Sequence, residues 1–139
     1  MFNIICGEKG KGKTQVLIDK ANEAAKAANG SIVYIDKGTK HMHELDRNIR
    51  LISIFDYPVH SYEAFVGFIS GILSQDHDLE TIFLDNFLIL SHLSVEEVDF
   101  AIETFDALSE KFGVNFIVSM SANATNLPEK AKSALIVSL

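Results

Sequence analysis

Apolar and polar positions follow two periods along this chain. Phe2 to Cys6, Ile32-Val-Tyr-Ile-Asp36, Arg50-Leu-Ile-Ser-Ile-Phe55, Thr81-Ile-Phe-Leu-Asp85, Val114 to Met120 and Ala134 to Leu139 are short, nearly continuous apolar runs. Such runs predict strands buried on both faces of a sheet. Between them, apolar residues recur three and four positions apart, the spacing of one helix face. Val16, Leu17, Ala21, Ala24, Ala25 and Ala28 mark a helix over 13–29 that stops at Asn29-Gly30. Phe65, Val66, Phe68, Ile69, Ile72 and Leu73 mark a second, with Ser61 as its cap and Glu63 in its first turn. They cover more than one face, which predicts deep packing. Val98, Ala101, Ile102, Phe105, Leu108 and Phe112 mark a third, opened by the capping box Ser94-Val-Glu-Glu97 and ended by Gly113. Residues 39–48 read as a loop or short helix, and 121–133 as a connection.

Strands alternating with helices predict an α/β domain of three layers, with a mostly parallel sheet between helices. Ligands of such sheets lie beyond the carboxyl ends of the strands. The glycine-rich turn after Cys6, Asp36, Asp85 and the stretch Ser119 to Ser121 all fall at that end. Phe65, Phe68, Phe83, Phe87, Phe100, Phe105, Phe112 and Phe116 are expected to fill the core.

Composition narrows the picture. With 139 residues, 47% of them hydrophobic, the chain is expected to form one domain over 1–139 with a substantial core. It shows no linker, repeat or secretory leader, and its longest apolar runs, 64–73 and 82–90, are about half a membrane span. The single cysteine, Cys6, excludes an internal disulfide and suits a reducing compartment, so a cytoplasmic protein without a membrane segment is expected. Net charge is −7, and only two arginines occur, Arg47 and Arg50. Nucleic acid is therefore not an expected partner, whereas a protein partner or a homo-oligomer stays open.

Residues 7–14, G-E-K-G-K-G-K-T, satisfy the phosphate-binding pattern G-x-x-x-x-G-K-[ST] between a predicted strand and a predicted helix. Gly7, Gly10 and Gly12 let the backbone wrap closely round an anion. Amides from Glu8 to Gln15 then face one concavity at a helix start, with Lys9 and Lys11 adding positive charge. Lys13 is the expected catalytic lysine for β- and γ-phosphates, and the Thr14 hydroxyl the expected Mg²⁺ ligand. Ile82-Phe-Leu-Asp85 has the form of a Walker B strand, whose Asp85 would hold Mg²⁺ through water or orient Thr14.

With these elements in this order, nearly the whole chain resembles the RecA-like branch of the P-loop ATPases. The likeness rests on G7-EKGKGKT14, I32-VYID36, R50-LISIF55 followed by a proline and a helix, and T81-IFLD85. It implies strand order 3-2-4-5-1-6, ATP and Mg²⁺ as ligands, and a polar sensor at Ser119, Ser121 or Asn123. The chain departs from that family at the catalytic glutamate. Gly38 stands two residues after Asp36 where the glutamate belongs, and Asn86 rather than Glu follows Asp85. Asp36 and Glu44 are the remaining candidates for a base. Arg47 and Arg50 read as surface ion pairs before arginine fingers. His41-x-His43 with Glu44 lacks the second ligand pair of a zinc site, and His60, His77 and His92 stand alone.

The expectation is an Mg²⁺·ATP-binding domain whose hydrolysis is weak or depends on a partner. Alternatives are a regulatory or assembly subunit that binds nucleotide without turnover, a phospho- or adenosyl-transferase, and a relative of motor ATPases.

Overall fold

The computed structural model describes Met1–Leu139, all of the chain. Its strands are β1 (Phe2–Gly7), β2 (Ser31–Asp36), β3 (Ile49–Ser53), β4 (Leu79–Leu84), β5 (Asn115–Ser121) and β6 (Leu135–Ser138). Its helices are α1 (Lys13–Ala27), α2 (Tyr62–Gln75), α3 (Phe87–Ser91), α4 (Val98–Phe112) and α5 (Glu129–Ala134). The strands form one sheet in the order β3-β2-β4-β5-β1-β6, and every pair is parallel. That is the order expected above, with β5 between the strands that carry Gly7 and Asp85.

Side chains alternate across the sheet, so each strand feeds two cores. Ile4, Cys6, Val33, Ile35 and Phe116 pack against α2, α3, α4 and α5 in a cluster of 25 buried residues. Ile5, Ile32, Tyr34 and Phe83 pack against α1 in a cluster of nine, with Leu17, Ile18 and Ala21 as its helical side. These are the three layers. Phe105 sits at the middle of the larger core, its ring 5.1–5.8 Å from those of Phe2, Phe65, Phe87 and Phe116. Each such pair contributes roughly 0.5–1.5 kcal/mol beyond burial.

Local signals act where they were read. The Ser61 hydroxyl accepts from the Ala64 amide at 3.0 Å and starts α2. Glu97 accepts from the Ser94 amide at 2.9 Å, although this capping box opens a 3₁₀ turn, Val95–Glu97, that leads into α4. Gly113 ends α4 at φ 67°. Gly30 is required by close approach: a Cβ there would lie 1.9 Å from the Asp78 carbonyl oxygen. The Glu80 carboxylate, at the start of β4, accepts from the amides of Asn29 and Gly30 at 3.0 and 2.6 Å.

Several expectations need correction. The third strand ends at Ser53, and Ile54–Asp56 is a 3₁₀ turn that leaves Phe55 exposed. Phe100 is 63% and Phe112 46% exposed, so neither belongs to the core. Phe100 lies across α4 from the buried Val98, Ala101, Ile102 and Phe105, and Phe112 is the helix's last residue. The apolar run 82–90 splits into the end of β4 and α3, and the connection 121–133 contains most of α5. No helix is long and apolar enough to cross a membrane.

Candidate functional site

The loop between β1 and α1 turns through two left-handed glycines, Gly10 (φ 86°) and Gly12 (φ 92°). A Cβ at either would touch nothing within 4 Å, so backbone angle rather than crowding requires glycine there. One loop bond, from the Lys11 amide to the Glu8 carbonyl at 3.2 Å, tightens the turn. The amides of Gly10, Gly12, Lys13 and Thr14 donate to no backbone carbonyl. They are the free donors of a helix start, at its positive dipole end.

Lys13 is buried, and its Nζ donates to the Glu8 carbonyl at 3.2 Å across the loop. Burial lowers its pKa from the usual lysine value, opposed by the charges of Asp85 and then Cys6. Gln15 turns away and bonds Asp19 at 2.9 Å.

Asp85 directly follows β4 and is 5% exposed. Three hydroxyls donate to its carboxylate. Ser119 on β5 reaches Oδ1 at 2.9 Å, Thr14 reaches the same oxygen at 3.3 Å, and Tyr34 on β2 reaches Oδ2 at 2.9 Å. Ser119 Oγ in turn accepts from the Asn86 amide at 2.7 Å, and Asn86 is itself left-handed at φ 64°. Burial, then the Asp85 charge, pushes the Tyr34 phenol far above its ordinary range, so it stays a donor. Of the three sensor candidates, Ser119 holds Asp85. Ser121 is an exposed neighbour of the loop, and Asn123 caps a 3₁₀ turn through the Thr125 amide.

Asp36 ends β2 and is 6% exposed. Its Oδ1 accepts from the Lys37 amide at 2.7 Å, while Oδ2 has no hydrogen-bond partner. Burial and then the charge of Asp85 raise its pKa, against the lowering effects of the Lys37 amide, His41 and the Lys37 ammonium. The other candidate base, Glu44, is exposed and pairs with His41 at 2.5 Å, outside both cavities described next. Arg50 pairs with Asp76 at 3.1 Å, at the amino end of the sheet and away from the loop.

Two polar cavities meet at the carboxyl end of the sheet, with no hydrophobic residue lining either. One, of about 220 Å³, lies over the loop between Lys13 and Ser119. The other, of about 300 Å³, lies over Asp36 and the turn Lys37 to His41. Thr14, Asp85 and Asn86 are common to both. Lys9, Lys11, Lys37 and Lys40 form no ion pair, so this end carries unpaired positive charge in a chain of net −7.

No protein-family model matches the chain, and no curated protein matches it.

Free backbone donors fit phosphate oxygens, and the Thr14 hydroxyl beside a buried carboxylate is a hard oxygen pair that suits Mg²⁺. Tyr34 and Asn86 were not foreseen as site residues. Tyr34 reads as one more apolar position in Ile32-Val-Tyr-Ile, and its only signal is a hydroxyl two residues before the acidic end of the strand.

Proposed function

We propose that this protein binds Mg²⁺ with a nucleoside triphosphate, ATP in the first instance, at the loop 7–14, and that it hydrolyses the nucleotide slowly or only with a partner. The observation that carries this reading is the 3.3 Å contact between Thr14 Oγ1 and Asp85 Oδ1, at the mouth of a loop with free amide donors. The motif and the Walker B strand are separated by 71 positions between those two residues, yet they meet at one point. The strand order supports a RecA-like P-loop ATPase architecture.

In this reading the amides of Gly10, Gly12, Lys13 and Thr14 bind the phosphates. Lys13 exchanges its internal bond to the Glu8 carbonyl for a phosphate oxygen, so its charge faces the ligand. Thr14 and Asp85 hold the metal, which when bound neutralises charge on the phosphates. Tyr34 and Ser119 fix the Asp85 carboxylate before any ligand arrives, so little reorganisation is needed on binding.

Water activation has no such provision. Asn86 follows Asp85, and Gly38 leaves the other glutamate position without a side chain. That absence favours a second reading, a regulatory or assembly subunit that holds nucleotide without turnover.

A thermal-shift titration with Mg²⁺·ATP tests the proposal, with Lys13→Ala as control. Ligand at a hundred times its dissociation constant adds about 2.7 kcal/mol of stability. The wild-type melting temperature should rise, and that of Lys13→Ala should not. A wild-type curve unmoved by saturating ATP, GTP and ADP refutes the reading. Multiple-turnover phosphate release then separates a slow ATPase from a binding subunit.

A further inference from the structure

Neither Lys13 nor a loop glycine lines the cavity over Asp36, yet it opens on the same Thr14 and Asp85. Three features there point to a ligand. Asp36 is 6% exposed and lines the cavity, with one carboxylate oxygen unpartnered. That oxygen is not enclosed by protein, since only Tyr62 Oη and Ser91 Oγ are sealed in without a partner, so it is open to a donor in the cavity. Lys37 and Lys40 stand on the cavity's rim without ion-pair partners, and the backbone of Gly38 and Thr39 connects them. No hydrophobic side chain lines it, which favours a polar guest over an apolar one.

Resting on the nucleotide reading, we propose that this second cavity is an acceptor site for a small hydroxyl-bearing anion, and that Asp36 takes the hydroxyl proton as the hydroxyl oxygen attacks the terminal phosphorus of the bound triphosphate. The balance is that of a phosphoryl transfer. The acceptor oxygen forms a new bond to phosphorus, the bond from phosphorus to the bridging β,γ oxygen breaks, and the nucleoside diphosphate leaves with that electron pair. The acceptor's proton ends on Asp36 and passes from there to solvent. Lys37 and Lys40 bind the acceptor's anionic group, a phosphomonoester or a carboxylate, and so set the hydroxyl towards the loop.

The test fills the loop with a non-hydrolysable triphosphate analogue and Mg²⁺, then adds probes in two arms. Glycerol 3-phosphate and glucose 6-phosphate form one arm, glycerate and malate the other. One arm should add a second melting increment to that of the nucleotide. Lys37→Ala/Lys40→Ala should lose the second increment and keep the first. With γ-labelled ATP, label should appear on the compound that bound. Asp36→Asn should cut that transfer by about 10²-fold or more while both increments persist. The acceptor site is overturned if the nucleotide increment is present but neither arm binds or takes label. It is also overturned if label goes only to orthophosphate or to the protein, or if Asp36→Asn transfers at the wild-type rate. Loss of the nucleotide increment itself would refute the nucleotide reading, and the acceptor site with it.

Discussion

Tyr34 and Ser119 hold the two oxygens of one buried carboxylate from opposite sides, each 2.9 Å from Asp85. β4 lies between β2 and β5, so the carboxylate is clamped by its two neighbouring strands. Tyr34→Phe leaves Oδ2 buried without a donor, at a cost of about 1–3 kcal/mol. Ser119→Ala strips Oδ1 of a donor and the Asn86 amide of its acceptor, and should cost at least as much. Urea unfolding of both single variants and the double variant should show coupling, because the two hydroxyls share one partner. A Tyr34→Phe protein as stable as wild type would contradict the clamp.

Asp36 makes the opposite prediction. Its folded pKa is raised from 3.8, by burial first and the charge of Asp85 second, with Lys37 and His41 offsetting part. Between the unfolded and folded values the folded state holds more protons, so stability falls as pH rises through that window. Above it the penalty of the buried charge is complete. Asp36→Asn removes the charge and keeps an oxygen for the Lys37 amide. The variant should melt a few degrees above wild type at neutral pH, and the gain should shrink as pH falls towards the ordinary carboxylate value of about 4. An equal or lower melting temperature at pH 7 would contradict this.

The two positions at which the resemblance expects a glutamate, 38 and 86, are not equivalent. Gly38 has no left-handed φ, and a Cβ there meets nothing within 4 Å. Asn86 has φ 64°, a left-handed angle that Asn adopts more readily than Glu although both carry a Cβ. Gly38→Glu should therefore fold as wild type and raise basal phosphate release from Mg²⁺·ATP. Asn86→Glu should lower the melting temperature. Wild-type stability of Asn86→Glu, or a destabilised Gly38→Glu, would reverse the assignment.

Gly30→Ala should be among the most damaging single methyl additions. The new Cβ would fall 1.9 Å from the Asp78 carbonyl oxygen, so the backbone has to move and Glu80 loses its alignment on two amides. A loss of about 1–3 kcal/mol is expected, read as a lower urea midpoint at an unchanged slope. An unshifted midpoint would show that the turn can open freely.

Much of this site is legible in sequence because its parts sit at ends of strands, and strand ends are easy to find in apolar runs. Gly10, Gly12, Lys13, Thr14, Asp85 and Ser119 line one cavity. Other parts depend on contacts that no local pattern carries. α3 has five residues, four of them consecutive apolar ones, too few to show a helical period. α5 starts because Asp99, on α4, accepts from the amides of Lys130 and Ala131, 31 and 32 residues later. Asn86 is of a type that tolerates positive φ but no turn pattern around it announces one, and Tyr34 hides its polar end among aliphatic neighbours. Phe100 reads as core only if every aromatic on an amphipathic helix is assigned to the buried stripe.

The position of β1 in the sheet also bears on how the molecule is made. β1 pairs only with β5 and β6, so the strand that leads into the loop 7–14 waits more than a hundred positions for its first neighbour. Long-range parallel pairing is slow, because a large loop must close before any contact repays it. β2, β3 and β4 can associate while the amino-terminal strand is still an orphan. The loop is then expected to take shape no earlier than that slow pairing. Nucleotide added during refolding should accordingly leave the folding rate unchanged and slow unfolding alone.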